Sequence, residues 1–414
     1  MWAQSKVERD GAIAKVKNRE AMKLYSAAAD AYLRHAEMTT LDDVQHGASL
    51  WKAATLLDRA GRQAEAIKAY RRYTIQRPND PHAPEALWAM GVLYQARGEL
   101  DEAIKAHEQN RKENPKTSAS YLSTVELARC YMAKGEKSYG DARDALLSLV
   151  EDNENIDPTA NEFRVALFTL AELYHTWARE KDGEASALAL ELAKGRPEPA
   201  DKARLEGLQD EALKHRGDAI LRLEEAISRY PQDALVARAT FSLADCYRKS
   251  AGEIGAAIKK DPGLAHRDSL EKARQDRLAK AAELYATVVA MLDKGFEAGG
   301  VHAGPAEGTI DEQYLRYSQV SRAECFFELG QYSTAIKAYD AVATRYAQTL
   351  TALEAYVQIV RAYLELREPS QAQAAAERAR WILKRIPDEA FGKPPLKLTR
   401  EYYEKFLALG RDVN

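Results

Sequence analysis

Apolar residues recur three and four positions apart through almost the whole chain, with charged residues between them, and few stretches alternate as a half-buried strand would. The segment Pro84-Glu85-Ala86-Leu87-Trp88-Ala89-Met90-Gly91-Val92-Leu93-Tyr94 is typical. This period predicts an almost entirely helical chain. A longer period lies over the short one. Gly91 and Tyr94 are followed by Gly98, Ala103 and Pro115, and a step of 37 residues back lands on Ala54, Leu57, Gly61, Ala66 and Pro78. The same step forward lands on Ala128, Tyr131 and Gly135, with Ala142 two residues late.

The phase returns further on, with interruptions. Leu170, Ala171 and Tyr174 precede Ala219, Leu223 and Pro231; Leu243, Ala244 and Tyr247 precede Ala281 and Tyr285. Ala323, Phe326 and Gly330 precede Ala335 and Tyr339, and a last unit runs from Ile359, Val360 and Tyr363 through Ala375 to Pro387. Two helices close a seam only where their backbones approach, so Ala or Gly recurs at the crossing and a large Tyr fills the space beside it. Glycine takes a positive φ at the turn between helices, and proline ends the second helix.

This arrangement resembles the tetratricopeptide repeat family: a helix A with a small residue and a Tyr three later, a turn, an Ala on the packed face of helix B, then proline. The family's usual period is about 34 residues. Here the regular step is 37, the extra residues falling in linkers such as Arg77-Pro78-Asn79-Asp80-Pro81-His82-Ala83-Pro84. The phrases Ala69-Tyr70-Arg71-Arg72-Tyr73 and Ile227-Ser228-Arg229-Tyr230-Pro231 resemble the repeats of bacterial cell-envelope proteins, including the Tol-Pal-associated periplasmic protein and the lipoprotein of outer-membrane protein assembly. The resemblance implies an all-α fold, a right-handed α-solenoid of helical hairpins whose A helices line a concave groove.

In this phase the residue three before the small position is Trp51, Trp88, Val125, Phe168, Phe241, Val320 and Val357. The residue after the small position is Thr55, Val92, Arg129, Glu172, Asp245, Glu324 and Arg361. Apolar anchors beside orienting charges suit a peptide-binding groove. The candidate protein-binding residues are therefore Trp51, Trp88, Arg129, Phe168, Glu172, Phe241, Asp245 and Arg361. The alternative for the tryptophans is packing between neighbouring A helices. The mixed signs argue against a clamp dedicated to acidic tails.

The expected layout is N-terminal helices over 1–44, about seven repeats over 45–387, and a capping helix within 388–414. Insertions fall near 179–215, 248–277 and 293–311. The first carries an Ala/Leu-rich stretch from Ala185 to Lys194 and a charged stretch that runs on into helix B. The third holds Gly295, Gly299, Gly300, Gly304 and Gly308, with no Gly-Lys-Ser/Thr to make it a phosphate loop, and reads as a tether. Insertions in repeat arrays often mark a partner surface, although a longer loop also costs little.

Composition narrows function by exclusion. The 414 residues hold 60 Lys+Arg against 63 Asp+Glu, a formal net charge of −3, which excludes a general polyanion binder. No apolar run approaches the ~18 residues of a membrane span. The start, Met1-Trp2-Ala3-Gln4-Ser5-Lys6, lacks signal-peptide regions. The expected compartment is the cytoplasm if Met1 is the native start, and the periplasm if a signal peptide was removed. Cys130, Cys246 and Cys325 each precede the helix A aromatic, so they share one repeat position and cannot converge on a metal. The eight histidines do not cluster, and His302 in the glycine stretch lacks a catalytic partner. A basic stretch, Arg378, Arg380, Lys384 and Arg385, suits either a helix C-terminus or an acidic partner.

No cofactor, metal, nucleic acid or small-molecule substrate is expected. The function expected is a non-catalytic scaffold that binds protein partners through the groove and inserted helices, as a lone adaptor or a subunit of a larger complex. The alternatives are a bacterial envelope assembly factor and, third, an enzyme whose site the insertions form.

Overall fold

A computed structural model describes residues 2–151, 156–195, 198–260, 266–293, 308–392 and 398–409, with backbone alone for 2–17. Among these residues there are sixteen α-helices and no strand. The chain forms two compact units, Met1–Leu173 and Tyr174–Asn414. The first holds α1 (Trp2–Met38), α2 (Asp43–Arg59), α3 (Gln63–Gln76), α4 (Ala83–Ala96), α5 (Leu100–Glu113), α6 (Ser118–Lys134) and α7 (Tyr139–Val150). The unit boundary falls within α8 (Asn161–Leu192). The second unit continues with α9 (Pro199–Arg229), α10 (Val236–Lys260), α11 (Arg267–Leu292), α12 (Ile310–Glu328), α13 (Tyr332–Arg345), α14 (Leu350–Glu365), α15 (Pro369–Leu383) and α16 (Arg400–Leu409).

Successive helices pack as antiparallel hairpins: α2 on α3, α4 on α5 and α6 on α7 in the first unit, α10 on α11, α12 on α13 and α14 on α15 in the second. In two places the first helix also meets the next one, α4 touching α6 and α10 touching α12. The fold class is thus the all-α repeat solenoid that the resemblance implies.

Local chemistry sets the hairpin ends. Thr117, Thr309 and Thr349 cap α6, α12 and α14 by accepting from the backbone N–H three residues on. At the turn from helix A to helix B, the amides of Arg62, Glu99, Gln331 and Glu368 donate to the carbonyls of Leu57, Tyr94, Phe326 and Tyr363, each at 2.9 Å. This six-to-one bond needs a left-handed residue just before the donor. Gly61, Gly98 and Gly330 supply it at φ 73°, 76° and 73°, and in the fourth turn Arg367 adopts φ 58°.

The seam is packed as the small residues dictate, but the tyrosines divide the work. Ala54, Ala128, Ala171, Ala244 and Ala323 are fully buried. The fully buried aromatics lie mainly on helix B: Tyr70, Tyr285 and Tyr339 are at most 2% exposed. His107 occupies the equivalent place on α5 and packs against Gly91, where an added Cβ would lie 2.3 Å from its ring. Helix A tyrosines instead reach back to the preceding helix. Tyr94 accepts from Arg71, Tyr131 donates to Glu108 at 3.2 Å, and Tyr247 donates to Glu224 at 2.6 Å. A phenol at the edge of the seam keeps its hydroxyl near a polar partner, which full burial would deny it.

The first two insertions are built into helices. α8 and α9 are 32 and 31 residues long and α10 and α11 are 25 and 26, against 14 for α3 and α5. Arg216 of α9, 2% exposed, ties three of these together by pairing with Asp182 of α8 at 2.6 Å and with Glu253 of α10. Most of the glycine-rich third insertion, 294–307 with His302, lies outside the described residues.

Candidate functional site

In the first unit, α2, α4 and the start of α6 wall a cleft of about 420 Å³, with Tyr70 of α3 at its floor. Trp51 and Trp88, one from each of two successive A helices, both line it. Trp51 is half-buried: it stacks on His82 with ring centroids 4.7 Å apart and meets Tyr70 edge-on at 5.8 Å. Trp88 is also half-buried, and its indole N–H has no acceptor among the described residues. A donor without an acceptor costs free energy until something satisfies it.

Besides Tyr70, the ionisable side chains lining this cleft are Asp58 and Glu85. Both were missed because only the positions three before and one after the small residue were taken in each repeat. The signal was present: Asp58 stands seven after Trp51 and Glu85 three before Trp88, on the same helical faces. Asp58 sits exposed at the rim, yet desolvation by its neighbours lifts its pKa above the usual value, against the pull of Arg59. Glu85 pairs with His82 at 3.3 Å.

The second unit has a cleft of about 370 Å³ walled by α12, α14 and α16. Val320, Glu324, Val357 and Arg361 line it, all at repeat positions assigned to the groove. Burial lifts the pKa of Glu324, opposed by Arg248 at 3.0 Å. Burial also lifts that of Glu354, which accepts from the Tyr403 hydroxyl at 3.1 Å. Tyr402, Tyr403 and Phe406 come from α16, and no repeat count pointed to them.

The other expected residues are spread. Phe168 is 5% exposed and belongs to the packed interior. Phe241 is half-buried, meeting Tyr285 at 5.8 Å and Tyr314 at 4.9 Å. Arg129 is exposed and pairs with Glu126 at 2.6 Å; Glu172 is exposed as well. Arg361 lies over Phe327, 5.6 Å from the ring centre. Asp245 is held by His175 at 3.3 Å and Arg248 at 3.7 Å. Burial disfavours its charge, but the bond and charge of His175, with Arg248, win and hold it at about 2.

The inserted helices wall a third cleft of about 800 Å³, between the ends of α8 and α10 and the start of α9. Ala185, Ala189, Ala256 and Ala257 form its floor, with Lys202, Glu206, Asp210 and Lys260 around it. In the basic stretch near α15, Arg380 donates to the Leu407 carbonyl at 2.8 Å and Arg385 stacks on Trp381 at 3.4 Å.

Among the described residues no three His, Cys, Asp or Glu side chains gather as a metal site would require. Cys130, Cys246 and Cys325 are buried, and burial raises all three thiols, Cys325 to about 12. That environment suppresses the thiolate needed for nucleophilic or metal chemistry. No helix of the described residues is long and apolar enough to cross a membrane.

These hairpins define the fold class: an all-α solenoid of helical hairpins. The tetratricopeptide repeat family model matches residues 48–80 and 317–349, the α2–α3 and α12–α13 hairpins. No curated protein matches the sequence. Among solved structures, the chain is similar to a tetratricopeptide repeat protein from Parabacteroides merdae, at 12% identity over 88% of this chain and 99% of that one, with a TM-score of 0.41. It is also similar to the P58(IPK) TPR domain, at 15% identity over 89% and 99%, TM-score 0.28. Yeast Tom70 matches at 16% identity over 82% of this chain and 69% of that one, TM-score 0.26. Likeness at this level carries nothing about partner or activity.

Proposed function

We propose that the protein is a non-catalytic scaffold that binds partner proteins through its helix A clefts, the Trp51–Trp88 cleft foremost. One observation carries the reading. Two tryptophans from successive repeats wall one open cleft, and each is only partly buried. Partly buried aromatics that wall an open cleft are the groups that gain most when a protein segment covers them. The inserted helices offer a second surface of small residues ringed by charge, suited to a partner helix at close approach. The envelope alternative rests on the repeat phrases around Tyr70 and Tyr230, and nothing in the clefts favours it.

The test is affinity capture with mass spectrometry from the organism that supplies the sequence, on the wild type and on Trp88→Ala. A partner recovered in stoichiometric amount by the wild type and lost with the variant, while the variant's thermal unfolding is unchanged, supports the reading. Recovery unaffected by the substitution places binding elsewhere and contradicts it.

A further inference from the structure

The charges around the Trp51–Trp88 cleft are one-sided although the chain as a whole is nearly balanced. Apart from the Tyr70 phenol, the ionisable groups lining it are both carboxylates, Asp58 and Glu85. Asp58 makes no side-chain hydrogen bond or ion pair among the described residues, and Glu85 has the imidazole of His82 at 3.3 Å as its partner. The Tyr70 hydroxyl at the floor registers both: burial raises its pKa first, Asp58 raises it further against the opposing pull of Arg59, and Glu85 adds a smaller rise. Two incompletely neutralised carboxylates therefore project their field onto aromatic walls.

We propose that this cleft recognises a basic side chain, Lys or Arg, carried on a segment of a partner protein. The inference rests on the protein-binding reading above and names the chemistry of the segment. Three terms favour a cation here. The carboxylates gain a full counter-charge beyond the partial ones that His82 and Arg59 supply in the free protein. A guanidinium or ammonium over the face of an indole gains a cation–π attraction. The aliphatic stem of Lys or Arg covers Pro84 and Leu122, which also line the cleft. An acidic segment meets repulsion from both carboxylates, and a wholly apolar one strips water from them without compensation. The choice is thus set by charge complementarity and not by the aromatic walls alone.

The test is selection of a displayed random nine-residue peptide library on the full chain, run in parallel on the wild type, on the double substitution Asp58→Asn with Glu85→Gln, and on Trp88→Ala. Both carboxylates are exposed, so the double variant should fold, and its thermal unfolding is recorded beside the selection. The expected result is enrichment of Lys or Arg in wild-type selectants. Their affinity should fall by about tenfold or more with the double variant, and by a similar factor when the selected Arg is replaced by citrulline, its neutral isostere. Peptides that depend on Trp88 but show no basic preference, or an acidic one, overturn this inference and leave the scaffold reading standing. Basic selectants indifferent to the double variant also overturn it. A library from which nothing is enriched overturns both.

Discussion

At position 91 the space for a side chain is already taken. A methyl carbon there would sit 2.3 Å from Cε1 of His107, a ring that is fully buried between helices and has no room to withdraw. Gly91→Ala should therefore destabilise by about 1–3 kcal/mol, the usual cost of overpacking, measured by urea unfolding. Pairing it with His107→Ala should restore part of the loss. His107 has a second consequence. Burial depresses its pKa from 6.5 to about 4, and neither ring nitrogen has a partner among the described residues. The unfolded chain then takes up this proton more readily than the folded one. The contribution is fully present above pH 6.5, is lost as pH falls toward 4, and amounts to about 3 kcal/mol by linkage. His107→Leu should flatten the stability profile in that window; an unchanged slope would show that the ring is not desolvated. His215, whose pKa burial also lowers, leaves a smaller residual slope of the same sign. Asp245, held at about 2, acts at lower pH.

At the scale of the element, the turns repeat more faithfully than the helices. Four helix A ends close with the same bond, and three of them place glycine at positive φ. Arg367 makes the fourth turn against the preference of a side chain for negative φ. Arg367→Gly is expected to stabilise by up to ~1 kcal/mol, the relief of strain exceeding the added chain entropy, read as a rise in urea midpoint. The long helices answer to a different device. Arg216→Ala leaves Asp182 and Glu253 facing a buried space, with about a third of each side chain still wet. The cost should be about 2–3 kcal/mol, below that of a fully buried broken pair, and replacing all three with apolar residues should recover much of it. Thermal unfolding of the wild type, Arg216→Ala and the triple apolar replacement separates these outcomes.

Across the whole molecule, helices, turns and seam were legible because each depends on residues a few positions apart. The period of 3.6 gave the faces, glycine gave the turns, and alanine gave the crossings. The cleft was legible in part. Trp51 and Trp88 follow from the repeat phase, and Asp58 and Glu85 share their helical faces, but a rule of two fixed positions per repeat passed over them. Phe168 stands at the same repeat position as the two tryptophans and is buried, since the repeat phase fixes a place on the helix and not what packs over it. The α16 contribution of Tyr402, Tyr403 and Phe406 was invisible, because it depends on how the last helix folds back onto α14 and no local pattern records that. The length of α8 to α11 followed from the insertions, whereas the Arg216 pairings between them join residues 34 and 37 apart.

The central claim is that partner binding and fold stability separate at the Trp51–Trp88 cleft. The most direct measurement titrates the captured partner into wild type and Trp88→Ala by calorimetry, with unfolding of the same preparations recorded alongside. The account predicts an affinity loss of about tenfold or more, at least ~1.4 kcal/mol, with the unfolding midpoint little changed. An unchanged affinity, or a midpoint lowered by several degrees with affinity per folded molecule retained, would contradict it and make Trp88 a packing residue.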